Sequence, residues 1–130
     1  MVDQEKLKQA WGIFEKAKVM HFITCDGNRL FCRPMSGILQ GGDTIYAATF
    51  RKSNKVAHLN AMGKGAFYVY DPDTHHYGSF SGDAEVGDDK EWREKLWHDS
   101  FAQYFPGGVD DENYVYIKLK IDNVNFVTEV

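Results

Sequence analysis

Hydrophobic positions recur with two different periods along the chain, and the change of period marks the predicted elements. The apolar residues of positions 3–17 recur every three or four residues, which predicts a helix capped by Asp3. Further helices are predicted after Ser53 and after Asp88, where Asp88 and Glu91 form a capping box. Short apolar runs bounded by turn residues predict strands over residues 21–25, 30–35, 44–49, 65–70, 77–86 and 114–121, with 124–127 following the last one.

Short turns between these strands predict antiparallel pairing. Gly27-Asn28 lies between two apolar runs, which is a hairpin signal, and Gly41-Gly42-Asp43 precedes the third strand. The sequence contains no repeat, linker or low-complexity segment, so we expect a single domain over residues 1–130. We therefore predict a mainly β fold, a small six-stranded antiparallel β-barrel with peripheral helices.

Composition narrows the classes of function. With 19 acidic against 15 basic residues, the chain lacks the basic balance of a general nucleic-acid-binding protein. No stretch has the length of a transmembrane helix, and the N-terminal residues lack the apolar core of a signal peptide, so we expect a cytoplasmic protein without a membrane partner. Nine Phe, seven Tyr and three Trp are more aromatic surface than one small core hides, which indicates a ligand pocket or a subunit interface.

The two cysteines do not predict a disulfide or a metal site. On paired strands around the Gly27-Asn28 turn, Cys25 and Cys32 share a face but sit diagonally, ~7–8 Å apart, which is beyond disulfide reach. Their spacing matches no metal motif. We interpret both as reduced, buried, small hydrophobic residues.

The strongest chemical signal is the segment 49–55, Thr-Phe-Arg-Lys-Ser-Asn-Lys. A strand runs here into hydroxyls and cations, and these run into a helix. Hydroxyls, cations and the free N–H groups of a helix start are the donors that bind phosphate. The alternative is a solvated, charged turn, which this segment alone does not exclude.

Arg33 is a second candidate for the same site. It closes an apolar strand, and Pro34 after it confines that stretch to a sheet edge or a strand end. A guanidinium there could reach the same phosphate as Ser53 and Lys55, with bidentate geometry. For Arg33 taken alone, a solvated head group at a strand end is the better interpretation.

The remaining candidate functional residues are better interpreted as structural. His75-His76 is interpreted as a polar hairpin tip, His58 as a surface residue of the second helix, and the acidic residues 110–112 as a solvated turn. The aromatic residues of positions 92–105 have helical spacing and are expected in a core. No Ser/His/Asp or Cys/His arrangement is recognisable, and no residue stands out as a general base, which is compatible with chemistry carried by a cofactor. We expect no metal site.

Taken together, several motifs resemble those of the flavin-binding split barrels of the pyridoxamine 5′-phosphate oxidase superfamily. The resemblance covers nearly the whole chain, and it is carried by the order and spacing of the motifs. The closing segments are similar to the branch of general stress protein 26. The motifs are residues 33–35, 46–49, 53–57, 78–86, 104–108 and 116–119.

The resemblance implies a Greek-key split barrel that forms a homodimer and holds FMN at the subunit interface. Arg33, Ser53 and Lys55 would hold the FMN phosphate, and Thr49 would lie beside the phosphate or the ribityl chain. The main chain of Pro34-Met35 would lie along the isoalloxazine ring. The segment from Trp97 to Gly107 would approach the flavin of the partner subunit.

Three positions depart from the pattern of the oxidases. Ile38 stands where the oxidases have a Lys, and Asn54, also assigned to the cofactor site, stands where they have a second Arg. Arg51 and Lys52 are candidates to make up the missing charge. Tyr77 falls where the oxidases carry a flavin-contacting Gln, and a Tyr can stack or donate there but cannot copy an amide.

The resemblance implies an FMN-binding flavoprotein, an oxidoreductase that exchanges a hydride or electrons with a small substrate or NAD(P)H. The alternative within the same fold is a flavin store, redox sensor or stress-linked binding protein without turnover. Haem or a deazaflavin as ligand, and a purely structural dimer with a surface cation cluster, are less favoured.

We predict that the protein does not oxidise pyridoxamine 5′-phosphate. The oxidases end in an Arg/His-rich tail that grips the substrate phosphate, whereas residues 125–130 here read Asn-Phe-Val-Thr-Glu-Val. An assay of the purified, FMN-loaded protein for pyridoxal 5′-phosphate formation checks this. Robust turnover would contradict it.

Overall fold

The computed structural model describes residues 2–128, which form three α-helices, two short 3₁₀ helices and seven strands. None of the helices in this part of the chain combines the length and apolar character needed to cross a bilayer. The elements are α1 (Gln4–Ala17), β1 (Met20–Asp26), β2 (Arg29–Met35), β3 (Ile38–Gln40), β4 (Thr44–Phe50), α2 (Asn54–Met62), β5 (Lys64–Tyr70), β6 (Tyr77–Gly87), α3 (Lys90–Leu96), 3₁₀ helices at Asp99–Gln103 and Gly108–Asp110, and β7 (Tyr114–Val127).

The strands form one antiparallel sheet whose order forces it to curl into a barrel. The order is β2-β1-β5-β6-β7-β4-β3, so β2 and β3 lie at its two ends, yet only Ser36 and Gly37 separate them in the chain. In a flat sheet of this size the outer strands would lie about 29 Å apart. The three peptide units from Met35 to Ile38 reach at most about 11 Å. The two edges therefore meet, and the mainly β split-barrel fold is confirmed.

The barrel interior is built from a row of aromatic side chains on neighbouring strands. Phe22 lies opposite Phe67, and Phe67 lies opposite Phe80. All three side chains are fully buried. Helix α1, with Asp3 as the predicted cap, adds the buried side chains Leu7, Ala10 and Ile13. This core fixes β1, which carries part of the candidate site described below.

A second, smaller aromatic cluster lies on the outer face of β4 and β7. The Trp92 ring stacks on Tyr46 at a centroid distance of 3.6 Å. Tyr114 contacts Trp97 at 5.5 Å and Phe105 at 4.8 Å between ring centroids. The chain that follows β6 is thereby held against the barrel, next to the opening between β2 and β4.

The outer face of β1, β2 and β5 is different, because its apolar side chains stay exposed or half-buried. Leu30 and Tyr70 are exposed, and Ile23 and Tyr68 are half-buried. Leu30 lies 76% open to solvent. A run of apolar and aromatic residues on one sheet face is typical of a surface that another molecule covers.

Three expectations about the elements are corrected. The barrel has seven strands within residues 2–128, since the short β3 pairs with β4 after the chain crosses from one sheet edge to the other. The third predicted helix is broken at Trp97, which adopts an extended conformation (φ −60°, ψ 134°), and it resumes as a 3₁₀ helix. Its N-cap is Asp89 and has no side-chain hydrogen bond, so the predicted capping box of Asp88 and Glu91 is wrong.

The cysteines are free, as expected, but they are not buried. Cys25 lies opposite Leu30 and Cys32 lies opposite Ile23, which is the predicted diagonal placement. Because this is the outward face of the hairpin, Cys25 is half-buried and Cys32 is exposed.

Strand β7 joins two segments that the sequence predicts separately, residues 114–121 and 124–127. The register between the two strands shifts at this point, because Ser81 of β6 lies opposite Asn123 and Gly82 lies opposite Ile121, which leaves Asp122 as an extra residue of β7. A Cβ at Gly82 would overlap the carbonyl oxygen of Lys120, so only glycine fits there. Of the predicted C-terminal tail, Glu129 and Val130 lie outside the described residues.

Candidate functional site

A cavity of about 310 Å³ lies where β2 and β4 separate at the open side of the barrel. The ends of both strands, the first turn of α2 and the 3₁₀ helix at Asp99–Gln103 surround it. We call it the β2–β4 cavity. Its walls are Pro34, Met35, Ser36, Ala48, Thr49, Phe50, Lys55, Ser100, Phe101, Gln103, Tyr104 and Phe105.

Ser53 begins α2 without capping it. It is the N-cap residue and has the extended backbone of one, but its side chain accepts no amide N–H of the first turn. The Oγ atom is buried and has no hydrogen-bond partner among the described residues. A buried hydroxyl left in this state costs about 1–3 kcal/mol. The hydroxyl and the open amides of the helix start therefore suit an acceptor supplied from outside the chain.

Lys55 and Arg33 bring two positive charges together in a partly desolvated place. Burial, and then the charge of Arg33, lower the pKa of Lys55. Burial also lowers the pKa of Arg33. No carboxylate of residues 2–128 forms a salt bridge with either side chain. Two neighbouring cations without a counter-charge are the electrostatic signature of an anion site.

Arg33 is held in place by hydrogen bonds to β1. It lies on the inward side of β2 because it is opposite Phe22 in the hairpin register. Its Nη1 donates to the Thr24 hydroxyl oxygen at 2.8 Å and to the Phe22 carbonyl oxygen at 3.3 Å. The Nε and Nη2 donors, which form the other edge of the guanidinium, have no partner in the described part of the chain. That edge can bind two oxygens of one anion.

Two buried residues next to this site, Thr24 and His58, were not predicted from the sequence. His58, expected on the surface, is buried, and its Nδ1 lies 2.7 Å from Oγ1 of Thr24. Thr24 is itself only 2% exposed. Two signals were available: Thr24 alternates with Phe22 on the inward side of an apolar strand, and His58 follows Lys55 at the helical spacing of three.

The structure gathers most of the predicted site residues, but not all of them. Pro34, Met35 and Thr49 line the β2–β4 cavity together with Lys55. Asn54 is exposed at the first position of α2. Tyr77 lies away from this cavity, at the start of β6, with its ring 5.8 Å from that of Tyr68 on the outer sheet face.

Arg51 and Lys52 do not lie with Arg33 and Lys55. The Arg51 Nε donates to the carbonyl oxygen of Glu112 at 2.7 Å. The backbone N–H of Lys52 donates to Oδ1 of Asn113 at 3.1 Å. Both residues line a separate concavity of about 600 Å³ beside the loop that precedes β7. The two charges that are most visible in the sequence therefore face another part of the surface.

The far wall of the β2–β4 cavity is aromatic and belongs to the same chain. Phe50 packs against Phe105 at 4.8 Å and against Tyr104 at 6.1 Å between ring centroids. Tyr104 remains 56% exposed although its ring is large and partly apolar. Flat aromatic surfaces beside an anion site suit a planar ligand that carries a phosphate.

These features define a class of protein, the antiparallel split barrel with two neighbouring cations at its open side. Residues 4–127 match the family model described as pyridoxamine 5′-phosphate oxidase like. The chain belongs to this family, and the resemblance seen in the sequence is confirmed. No curated protein matches the chain.

Solved structures of similar fold extend this result. A protein related to general stress protein 26 from Clostridium acetobutylicum is 22% identical, with a TM-score of 0.83 over 98% of this chain and 91% of that one. General stress protein 26 from Bacillus anthracis is 20% identical, with a TM-score of 0.81 over 95% and 92%. A general stress FMN/FAD-binding protein from Xanthomonas citri is 20% identical, with a TM-score of 0.80 over 98% and 92%. At these identities the similarity establishes the fold.

The uncompensated charge of Lys55 generates a prediction about stability. Burial holds the pKa of Lys55 in the folded state below its value in the unfolded state, so the charged form of Lys55 lowers the free energy of unfolding. This loss of stability decreases as the pH rises through the folded-state pKa, because Lys55 then loses its charge in the folded protein. Lys55→Met should therefore stabilise the ligand-free protein at pH 7, and the gain should shrink towards alkaline pH. Urea unfolding at several pH values measures this.

Lys52→Met is the matched control, because Lys52 is exposed in the same segment. Its free energy of unfolding should change little at any pH. Equal or lower stability of Lys55→Met at pH 7 would contradict the charge penalty.

Proposed function

We propose that this protein is an FMN-binding flavoprotein with oxidoreductase activity other than pyridoxamine phosphate oxidation. The observation that carries the proposal is the buried Oγ of Ser53, which has no hydrogen-bond partner among residues 2–128, together with the neighbouring charges of Arg33 and Lys55, which form no salt bridge within the same range. In this assignment Ser53, Arg33, Lys55 and the open amides of α2 hold the phosphate. Thr49 lies beside it, and the Pro34-Met35 main chain borders the isoalloxazine ring.

The residues fit the chemistry of FMN. A phosphate monoester carries a charge of about −1.5 to −2 at neutral pH, which matches two cations. The adjoining β2–β4 cavity offers about 310 Å³ with aromatic and apolar walls. The similarity to the Xanthomonas citri protein, which is described as FMN/FAD-binding, supports the same choice.

The protein would position the cofactor and leave the electron transfer to it. When bound, FMN supplies hydride and electron transfer at its N5 atom. The chain's own residues would fix the phosphate, keep water from one face of the ring and present main-chain groups of residues 34–35 to its polar edge. A small substrate or NAD(P)H would be the exchange partner.

A second candidate is a flavin store or redox sensor without turnover. One observation favours it: Lys55 and Tyr104 are the only titratable side chains among the residues that line the described cavity, so no carboxylate or imidazole is in place for proton transfer. Anaerobic addition of NADPH or NADH separates the two. Bleaching of the bound flavin favours the oxidoreductase, and an unchanged spectrum with both donors favours the store.

The absorption spectrum of the purified protein tests the cofactor itself. We expect flavin bands that are released on denaturation. A Soret band would indicate haem, and the absorption band of a deazaflavin in place of the flavin bands would indicate a bound deazaflavin. A colourless protein that does not take up FMN would indicate a structural dimer.

Removing either cation should weaken FMN binding. A charge-assisted hydrogen bond contributes about 1.5–3 kcal/mol, so Arg33→Ala and Lys55→Ala should each raise the Kd for FMN about ten- to a hundredfold. Quenching of flavin fluorescence measures the Kd. Lys52→Ala is the matched control, since Lys52 lines another concavity, and it should bind FMN like the wild type. Unchanged affinity in both Arg33→Ala and Lys55→Ala would show that the site assignment is wrong.

We also propose that the chain forms a homodimer through the outer face of β1, β2 and β5. The exposed Leu30 and Tyr70 and the half-buried Ile23 and Tyr68 support this surface. Tyr77 lies on the same face, so dimerisation would cover it. In such a dimer Tyr77 would approach a flavin only across the interface.

A charge in the middle of this face should separate the subunits. Ile23→Asp is expected to give a monomer by size-exclusion chromatography with light scattering, because a buried unpaired carboxylate opposes association. Gln9→Asp on the exposed side of α1 is the control and should leave the oligomeric state unchanged. A wild-type monomer, or a dimer that persists in Ile23→Asp, would contradict the assigned face.

A further inference from the structure

Beneath the candidate phosphate site lies a chain of hydrogen bonds that joins three elements. Arg33 of β2 donates through Nη1 to the Thr24 hydroxyl of β1 at 2.8 Å. The Thr24 oxygen lies 2.7 Å from Nδ1 of His58 in α2. Thr24 and His58 are both buried. These hydrogen bonds therefore run from Nη1 of Arg33 into the protein interior, on the side of the guanidinium opposite Nε and Nη2.

The chemistry of the guanidinium fixes the direction of the first of these bonds. A guanidinium can only donate, so the Thr24 oxygen accepts from Arg33. The Thr24 hydroxyl keeps its own proton and a second lone pair, so it pairs with Nδ1 of His58 either by donating to it or by accepting from Nδ1–H, according to the tautomer of the imidazole. In either case the Thr24 hydroxyl pairs with both Arg33 and His58 and links the two side chains.

Because His58 lies on α2, the same hydrogen bonds also connect the two elements that carry the candidate phosphate site. Ser53 and Lys55 come from α2, whereas Arg33 comes from β2, so the site is assembled from two separate elements. The bond between Thr24 and His58 ties α2 to β1, and β1 carries β2 through its hairpin. The His58 ring also packs against Phe31 of β2 at 4.8 Å between centroids.

We propose that Thr24 and His58 are positioning residues of the anion site. They hold Nη1 of Arg33 so that Nε and Nη2 face the bound phosphate, and they fix α2 at the distance that lets Ser53 and Lys55 bind the same group. This inference rests on the proposed function for the identity of the anion. The positioning itself is a property of the ligand-free chain.

Two pairs of variants test the hydrogen bonds without changing the size of the side chains much. Thr24→Val removes the hydroxyl and His58→Leu removes its partner, whereas Thr24→Ser keeps a hydroxyl and His58→Asn keeps a polar group that can donate or accept. We expect the first pair to raise the Kd for FMN about tenfold and the second pair to stay within about threefold of the wild type. Riboflavin, which lacks the phosphate, should bind all four variants like the wild type.

A purely structural role would give a different result. If Thr24→Val and His58→Leu weakened FMN and riboflavin equally, or if Thr24→Ser and His58→Asn failed to rescue, the positioning role would be wrong. A double-mutant cycle adds a second criterion. Because the proposal acts through Arg33, His58→Leu should cost much less FMN affinity in the Arg33→Ala background than in the wild type, and full additivity would overturn it.

A ligand-free measurement separates this inference from the proposed function. Phenylglyoxal modifies accessible guanidinium groups, and peptide mass spectrometry gives the rate at each arginine. Arg33 should react several-fold faster in Thr24→Val and His58→Leu than in the wild type, while exposed Arg29 on the same strand serves as the internal reference. A wild type that binds no flavin would overturn the proposed function alone, and an unchanged Arg33 rate would overturn the positioning.

Discussion

The two-residue link between β2 and β3 is the constraint on which the rest of the structure depends. It joins strands from the two ends of the sheet, so the sheet has to curl until its edges meet. Gly37 makes the crossing feasible, because a Cβ there would overlap the Tyr46 carbonyl oxygen. The ends of β2 and β4 are thereby brought together without a ladder between them, and the cavity forms in that gap.

The site depends on this closure because its parts are distant in sequence. Arg33 arrives on β2, and Ser53 and Lys55 arrive on the helix that follows β4. The aromatic core under β1 holds Arg33 from the inside, and the chain after β6 adds the aromatic wall. The rigid barrel thus holds two partly desolvated cations together although nothing in residues 2–128 neutralises them. A local loss of folding stability of this kind is typical of a preorganised binding site.

Much of the fold and part of the site could be predicted from the sequence, and the reasons differ by element. The alternation of β1, β2 and β4 and the Gly27-Asn28 turn are local signals, and they gave these strands correctly. Strand β3 was missed because three residues carry no periodicity of their own, and its pairing follows from closure of the barrel. Ser53, Lys55 and Arg33 were singled out by residue type and order. The pairing of Thr24 with His58 was missed because it exists only after α2 packs on β1.

The buried hydroxyl of Ser53 and the unneutralised charge of Lys55 also bear on the life of the protein in a cell. Both features penalise the ligand-free protein, and on the proposed assignment a bound anion would remove this penalty. A ligand present at a hundred times its Kd adds about 2.7 kcal/mol to the free energy of unfolding. Cellular proteases act on the unfolded fraction, so copies without ligand would be removed first. On the proposed assignment, the energetics of its own site would make the amount of this protein follow the supply of flavin.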